Sequence, residues 1–483
     1  MNTKPRWVLA LTSVASLMVG LDILVVTTAL TTIHDKLGAS LGQLEWIINA
    51  YTLSFAVLLM TASALGDRFG RRRLFLAGLA LFTVMSAACA LAPSIGWLIA
   101  ARAVQGVGSA MIMPHAMALL SAAYPAEKRA RALGIFSSVT GLAVLGGPMI
   151  GGAVVQGLDW PWIFWLNVPI GLVLIPVAAR KIDESRGRVA RFDVGGVVLV
   201  TLAALGLVWS LVRGNTAGWT SPEVLATLAG GVAALAGFIA WERRAPEPML
   251  PLRLFRSRAF TAGNAAGFGM YAGIFGAAFF LAQLFQLDWH YGPLGAGLRL
   301  APWTVTLTLV APVAGALVSR IGERPLVAAG LTLQAAGFVW VALVAREQLG
   351  YAAIVAPLVL AGCGVSLAMP AAQNCVIGAV PPADLGKAAG TFNTLRQLGG
   401  TFGIAILAAV FSGAGSYASA RTFGAGFVPT AEVAAGLSLA GALAGLLIPS
   451  RNRNQVRPGS AQPDPAGAAT PAPDLRKMSE TNR

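Results

Sequence analysis

The fold is decided by residues 47–90, which read IINAYTLSFAVLLMTASALGDRFGRRRLFLAGLALFTVMSAACA. Two apolar runs flank the charged loop Gly66–Arg73, and each run is long enough to cross a bilayer as a helix of about 20 residues. Because the loop is so short, the two helices must pack as antiparallel neighbours. This unit of two membrane helices and a basic turn predicts a helical membrane protein.

Composition extends the pattern to the whole chain. Of its 483 residues, 56% are apolar and only 11% are charged, whereas a soluble domain carries about 25% charged residues. This excludes a soluble globular protein and predicts an all-α integral membrane protein with fourteen transmembrane helices. The predicted spans are residues 7–33, 44–65, 74–93, 97–120, 132–157, 161–179, 193–212, 223–241, 260–286, 296–318, 326–345, 351–378, 388–411 and 430–449.

The basic residues predict the orientation, because Lys and Arg concentrate on the cytoplasmic side of membrane proteins. With both termini in the cytoplasm, twenty-eight of the 35 Lys and Arg residues fall in inner segments, four in outer loops and three within spans. The net charge of +15 then faces anionic lipid headgroups, so we expect no nucleic-acid partner. We predict a multi-pass protein of the cell membrane with both termini cytoplasmic.

The chain contains an internal repeat. A shift of 256 residues matches Gly106, Gly108, Met113, Pro114, Pro125, Gly134 and Phe136 with Gly362, Gly364, Met369, Pro370, Pro381, Gly390 and Phe392. A shift of 252 residues matches Arg68, Gly70 and Arg72 with Arg320, Gly322 and Arg324. Chance agreement among the 56 glycines is the alternative, but the repeated order of the spans argues against it.

The repeat predicts the domain organisation. Residues 1–181 form one six-helix bundle and residues 259–449 form a second. Residues 182–258 form a linker that contains two inserted helices. Residues 450–483 form a cytoplasmic tail rich in Pro, Ala and polar residues, which we expect to be disordered because it cannot bury enough apolar surface to fold.

Four stretches resemble a known family. The loop Gly66–Arg73 resembles the signature G-x-x-x-D-R-x-G-R-R of the major facilitator superfamily, with Ala62 or Ser63 in place of its first glycine. Three more stretches resemble its fourteen-helix drug:proton antiporters: Gly141 with the run GPMIGG at 147–152, the run WPWIFWLNVPIG at 160–171, and the run NTLRQLGG at 393–400. Pro161 replaces the arginine that is usual in the second of these.

The resemblance implies the major facilitator fold, with two six-helix bundles plus two linker helices, and proton-driven export of lipophilic drugs or antibiotics by alternating access. It also implies that two sets of residues govern the conformational change: Asp67, Arg68, Gly70, Arg71 and Arg72 in the loop, and Gly141, Gly147, Pro148, Gly151 and Gly152 in the fifth span.

The residues themselves support these roles and leave alternatives open. Gly147 and Gly151 are four positions apart and let another helix approach closely, while Pro148 can bend its own helix. Asp67 can pair with a loop arginine or with the positive N-terminus of a helix. The alternatives are ordinary small-residue packing for the glycines and a simple basic anchor for the loop.

Asp22 and Arg102 are the candidates for proton coupling. Asp22 lies about halfway along the first predicted span, where a carboxylate needs a partner, a wet cavity or a bound proton. Arg102 begins a stretch that resembles the fourth-helix motif of the superfamily and is long enough to reach Asp22. Protonation of Asp22 would then release Arg102. The alternatives are a purely structural Asp22 and an Arg102 that extends to the outer interface.

Five residues are candidates for the substrate cavity: His115, Tyr271, Phe275, Asn393 and Arg396. His115 can relay protons or serve as a packing histidine. Tyr271 and Phe275 belong to an aromatic stripe that suits flat lipophilic substrates, core packing or lipid contact. Arg396 lies inside the thirteenth span, where it can attract anionic or carbonyl-bearing substrates or bind carbonyls of neighbouring helices.

Transport is the function that these features favour. The chain contains no G-x-x-x-x-G-K-[ST] phosphate loop and no spacing typical of metal ligands, so we expect a proton gradient and neither a cofactor nor a metal. The expected partners are a small lipophilic substrate, protons and the bilayer, with a monomer sufficient for transport. The alternatives are an importer or symporter of the same superfamily, a narrow-substrate metabolite exporter and, remotely, an integral-membrane transferase.

Overall fold

The computed structural model describes residues 4–187, 193–381 and 384–450. Their helices are α1 (Lys4–Leu37), α2 (Leu41–Phe69), α3 (Arg71–Ala90), α4 (Ile95–Ala123), α5 (Ala126–Gly157), α6 (Trp162–Trp165), α7 (Asn167–Lys181), α8 (Val194–Ala217), α9 (Pro222–Glu242), α10 (Arg258–Gln283), α11 (Pro293–Arg299), α12 (Ala301–Ile321), α13 (Glu323–Arg346), α14 (Tyr351–Gly378), α15 (Leu385–Ala414) and α16 (Ala420–Leu446). A π-helical turn over Leu284–Asp288 extends α10. The tail predicted to be disordered lies, after Ser450, outside the described residues.

The all-α membrane fold is confirmed. Within the described residues, thirteen segments are long and apolar enough to cross a membrane, with α6 and α7 forming one of them. They match thirteen of the fourteen predicted spans. The remaining one, predicted at 296–318, is divided into the short helix α11 and the helix α12. The division falls at Leu300, because Pro302 favours the first turn of a new helix.

Polar caps fix where several helices begin. The Gln43 backbone N–H donates to Ser40 Oγ at 3.4 Å, and the Ser40 backbone N–H donates to Gln43 Oε1 at 2.9 Å. This reciprocal arrangement satisfies two backbone donors at the start of α2. Similar serine caps begin α4, α9, α10 and α16.

Two glycines make the tight turns that the repeat relates to each other. Gly70 separates α2 from α3 with a φ of 113°, and Gly322 separates α12 from α13 with a φ of 85°. Residues with a Cβ atom rarely adopt such angles. The matched positions therefore have the same backbone role in both halves.

Helix packing is duplicated as well. In the first half, α1 packs against α5, and α4 packs against α2 and α3. In the second half, α10 packs against α15, and α14 packs against α12 and α13. The inserted helices α8 and α9 pack against each other, and α8 also contacts α2 and α15. The division of the chain at residues 181 and 258 stays a prediction.

The two halves meet along α2 and α15. Thr52 Oγ1 lies 2.8 Å from Thr401 Oγ1, and Thr394 Oγ1 donates to the Ala56 carbonyl at 3.4 Å. At the end of the bundle predicted to be outer, α5 packs against α11, and α1 contacts the π-helical turn after α10. These contacts form the junction between the two halves.

Candidate functional site

Asp22 and Arg102 form a buried ion pair between α1 and α4. Arg102 Nη1 donates to Asp22 Oδ2, and neither side chain is exposed to solvent. Arg102 Nε donates to the Ile47 carbonyl at 3.2 Å, and its Cζ lies 4.1 Å from the centroid of the Tyr51 ring. Removing one member of such a pair costs roughly 3–5 kcal/mol, because a buried charge then lacks compensation.

Two amides complete the hydrogen bonding of Asp22. Gln105 Nε2 and Asn167 Nδ2 donate to Asp22 Oδ1 at 3.0 and 2.9 Å. The same amides donate to Ser86 Oγ at 2.7 and 3.3 Å, and Gln105 Oε1 accepts from Arg102 Nη1 at 2.8 Å. The network therefore joins α1, α3, α4 and α7 around one carboxylate.

The sequence analysis assigned no role to Gln105 or Asn167, although both lie in stretches that it singled out. Gln105 follows Arg102 by three positions and so shares its helix face. Asn167 is the first residue of α7 and is buried. In the sequence, each of these two residues could have been recognised as a polar amide side chain inside an apolar run.

We expect Asn167→Ala to destabilise the protein by about 1–3 kcal/mol, because Asp22 Oδ1 and Ser86 lose a buried donor. Proton-coupled transport should fall at the same time. The melting temperature of the purified protein and the transport rate in vesicles measure the two effects. Asn264→Ala is the matched control, because Asn264 Nδ2 donates to the Phe260 carbonyl of its own helix. Equal losses in the two variants would contradict a special role of Asn167.

In the charged loop, Asp67 pairs with an arginine of the loop itself. Arg71 Nε donates to Asp67 Oδ1 at 2.7 Å, and the Gly187 backbone N–H donates to the Asp67 carbonyl at 3.2 Å. Arg68 is exposed and its Cζ lies 5.3 Å from the centroid of the Phe69 ring. Of the two partners predicted for Asp67, a loop arginine or a helix N-terminus, the structure shows the loop arginine Arg71.

Glu184, which the sequence analysis did not single out, fastens the start of α3. Its carboxylate accepts hydrogen bonds from the backbone N–H groups of Arg72 at 2.9 Å and Arg73 at 3.3 Å. Arg72 Nη1 also donates to the Ile182 carbonyl at 3.1 Å. A Cβ atom at Gly70 would lie 2.7 Å from Glu184 Cδ, so the glycine is required for this close approach.

Two of the four predicted α5 glycines face α1. A Cβ atom added to Gly147 would lie 2.5 Å from Leu24 Cβ, and one added to Gly151 would lie 2.6 Å from the Val25 carbonyl oxygen. Such distances leave no room for a side chain. The backbones of α1 and α5 therefore approach each other closely at the level just beyond Asp22.

Gly152 faces the second half of the protein instead. An added Cβ atom would lie 2.3 Å from the Pro293 carbonyl oxygen of α11. On α11, a Cβ atom added to Gly297 would lie 2.1 Å from the Pro148 carbonyl oxygen. By contrast, no atom of the described residues lies within 4 Å of a Cβ atom added to Gly141. The predicted glycine group thus contains both a tight contact between the halves and an open position.

Among the cavity candidates, His115 lies within the first half. It is 1% exposed, and its Nδ1 hydrogen-bonds with the Met111 carbonyl of the same helix. A Cβ atom added to Gly66 of α2 would overlap the imidazole ring. His115 therefore packs tightly between α2 and α4.

The other four candidates lie on α10 and α15, which pack against each other. Arg396 Cζ lies 5.2 Å from the centroid of the Tyr271 ring, and Phe275 contacts the apolar cores of both halves. Asn393 precedes Arg396 by one turn and donates to the Ala389 carbonyl of its own helix at 3.0 Å. Arg396 and Asn393 are partly exposed.

A second acid is buried near the predicted outer end. Glu45 in α2, which the sequence analysis did not single out, is 3% exposed, and its Oε2 has no hydrogen-bond partner within the described residues. It is buried because Leu44 and Ile48 beside it belong to an apolar core that also includes residues of α10 and α15. Burial raises the pKa of the Tyr417 hydroxyl, and the nearby Glu45 raises that pKa further.

Known proteins resemble this chain in sequence and in fold. The model of the Major Facilitator Superfamily matches residues 12–404 and 263–479. Multidrug resistance protein Stp of Mycobacterium tuberculosis is 34% identical, with 85% of this chain and 77% of that protein covered. The tetracenomycin C resistance and export protein of Streptomyces glaucescens is 36% identical, with 84% and 75% covered. The fold is similar to that in the crystal structure of a POT family transporter in complex with 5-aminolevulinic acid, with a TM-score of 0.68 and 16% sequence identity. The aligned region covers 90% of this chain and 94% of the other. That likeness concerns the fold.

Proposed function

The chain belongs to the major facilitator superfamily and to its drug-efflux family, and from this premise we propose that it exports lipophilic drugs or antibiotics in exchange for protons. It is a multi-pass membrane transporter rather than an enzyme. The proton gradient supplies the energy, with no cofactor, and a monomer suffices for transport. The protein lies in the cell membrane with both termini in the cytoplasm.

One observation carries the proposal of proton coupling: the buried ion pair of Asp22 and Arg102, held by two amides. A carboxylate at membrane depth is expensive and marks proton pathways in transporters. When Asp22 accepts a proton, it loses its charge attraction to Arg102. Arg102 keeps the Ile47 carbonyl, Gln105 Oε1 and the Tyr51 ring as partners, so it can remain buried.

Helix α1 provides a path from the proton site to the junction of the halves. About two turns beyond Asp22, Thr31 Oγ1 donates to Gln286 Oε1 at 2.5 Å, and Gln286 Nε2 donates to the Thr28 carbonyl at 3.3 Å. Gln286 belongs to the second half. Protonation of Asp22 weakens the contacts of α1 with α4 and α7. The same helix also makes the contacts with Gln286 that close the predicted outer end.

The function is tested in inverted membrane vesicles with an imposed acid interior. A panel of lipophilic cations, neutral compounds and acids is added, and a pH-sensitive dye reports loss of the gradient. We expect at least one compound to dissipate the gradient in vesicles that contain the protein and not in vesicles without it. If folded protein responds to no compound in the panel, drug export is contradicted and a narrow-substrate exporter is favoured.

A further inference from the structure

Arg396 is a cation deep in a membrane helix without a carboxylate partner. None of the ion pairs within the described residues includes it, and its Nε is buried without a hydrogen-bond partner. Arg102, the buried arginine of α4, has Asp22 as its partner. The two halves therefore differ: the first half neutralises its arginine internally, and the second does not.

The acids of the second half lie elsewhere. From residue 259 to residue 450 they are Asp288, Glu323, Glu347, Asp384 and Glu432. The first four of these acids lie at helix ends or in turns. The fifth, Glu432, accepts a hydrogen bond from Arg346 at 2.7 Å. Within the described residues, no acid of the second half therefore forms an ion pair with Arg396, so an anionic ligand can supply its negative charge.

Two more polar side chains, Gln397 and Tyr271, lie next to Arg396 in sequence or in space. Gln397 is 2% exposed, and both atoms of its amide are without a hydrogen bond within the described residues. The Tyr271 hydroxyl is also buried, and its polar neighbour is the Arg396 guanidinium, which lies against the Tyr271 ring. Together these side chains offer a guanidinium, an amide N–H group and a hydroxyl, which matches the two acceptor oxygens of a carboxylate.

The surroundings of these donors are apolar and lie at the junction of the halves. On α15, Arg396 and Gly400 are four positions apart and so share a helix face, as do Gln397 and Thr401. Gly400 faces the Phe275 ring, because an added Cβ atom would lie 3.1 Å from Phe275 Cγ. Thr401 contacts α2 of the first half. A ligand here would meet a charged head site and an aromatic wall.

We propose that Arg396, with Tyr271 and Gln397, binds the carboxylate of an anionic lipophilic substrate, with Phe275 against its aromatic part. This proposal rests on the export function and specifies its substrate class. A guanidinium without an internal counter-ion repels cationic compounds, and its attraction to an anion is strong in a site of low dielectric constant. Acidic compounds are therefore exported in preference to their neutral analogues.

The test uses a lipophilic aromatic carboxylic acid and the primary amide of the same shape, both radiolabelled. Uptake into inverted vesicles with an acid interior is measured, since passive distribution excludes a weak acid from an acid interior. We expect the wild type to prefer the acid, and Arg396→Gln to lower acid uptake about tenfold or more, the effect typical of losing a charged hydrogen-bond donor. Uptake of the amide should stay within about twofold.

Two further variants separate charge from shape. Arg396→Lys keeps the cation and should retain most of the preference for the acid. Arg421→Gln makes the same charge change at an exposed position of α16 and should alter neither compound. An equal loss of acid and amide uptake in Arg396→Gln would overturn the carboxylate site while leaving export intact.

A binding measurement keeps the proposal independent of the transport assay. Equilibrium binding of the labelled acid is compared for purified wild type and Arg396→Gln, after both are shown to be folded by their melting temperatures. Tighter binding to the wild type by about tenfold or more supports the site even if neither compound is exported. Equal binding overturns it. Failure of export alone counts against the proposed function and not against the site.

Discussion

Asp22→Asn is expected to abolish proton-coupled export and reduce gradient dissipation to that of vesicles without the protein. The asparagine keeps the shape of the side chain but cannot take up and release a proton. Arg102 also loses its carboxylate, while its guanidinium stays fully buried. This leaves an uncompensated charge that costs roughly 3–5 kcal/mol, so the melting temperature of purified Asp22→Asn should fall as well.

The double variant Asp22→Asn/Arg102→Gln separates the two effects. It removes both charges, so no unpaired ion remains and we expect most of the lost stability to return. Proton coupling should remain absent, because the group that carries the proton is still missing. Undiminished export by Asp22→Asn at matched expression would show that Asp22 is structural. The search for the proton site would then move to Arg102, His115 and Glu45.

The fold could be predicted from the sequence largely because membrane helices are encoded by long local runs. The spans, the turns at Gly70 and Gly322 and the repeated packing all follow from composition and spacing. The tenth span was predicted less well, because hydropathy does not register that Pro302 begins a second helix there. Periods of apolar residues locate helices but not the breaks within them.

The site could be predicted only in part, because hydrogen-bond partners depend on how helices are rotated against one another. Asp22 and Arg102 stood out as charges in apolar runs. Asn167 did not, since its contact with Asp22 joins residues 145 positions apart on α1 and α7. Glu45 was overlooked because it lies in the second turn of α2, and depth counted along one helix does not reveal burial by other helices.

Gly152→Ala is expected to open the predicted outer end and to lower export strongly. The added methyl group would overlap the backbone of Pro293, which is part of the second half and cannot move aside as a flexible side chain can. Overpacking of this kind costs roughly 1–3 kcal/mol, which shifts a balance between closed and open states by about 5- to 150-fold. The cost applies only when α5 and α11 are in contact, so the open state is favoured.

A cysteine introduced at Ala296 measures this shift, because Ala296 lies in α11 and is fully buried in the closed arrangement. In a background without native cysteines, Gly152→Ala should accelerate its labelling by a membrane-impermeant maleimide added from outside. Gly141→Ala is the matched control, because it adds the same methyl group to α5 at a position where the described part of the chain has no atom within 4 Å. If both variants label and export alike, the contact between Gly152 and α11 does not limit the conformational cycle. If labelling and export change only in Gly152→Ala, closure of the halves requires that position 152 carry no methyl group. Gly152 then has a role in closure that Gly141 of the same helix does not share.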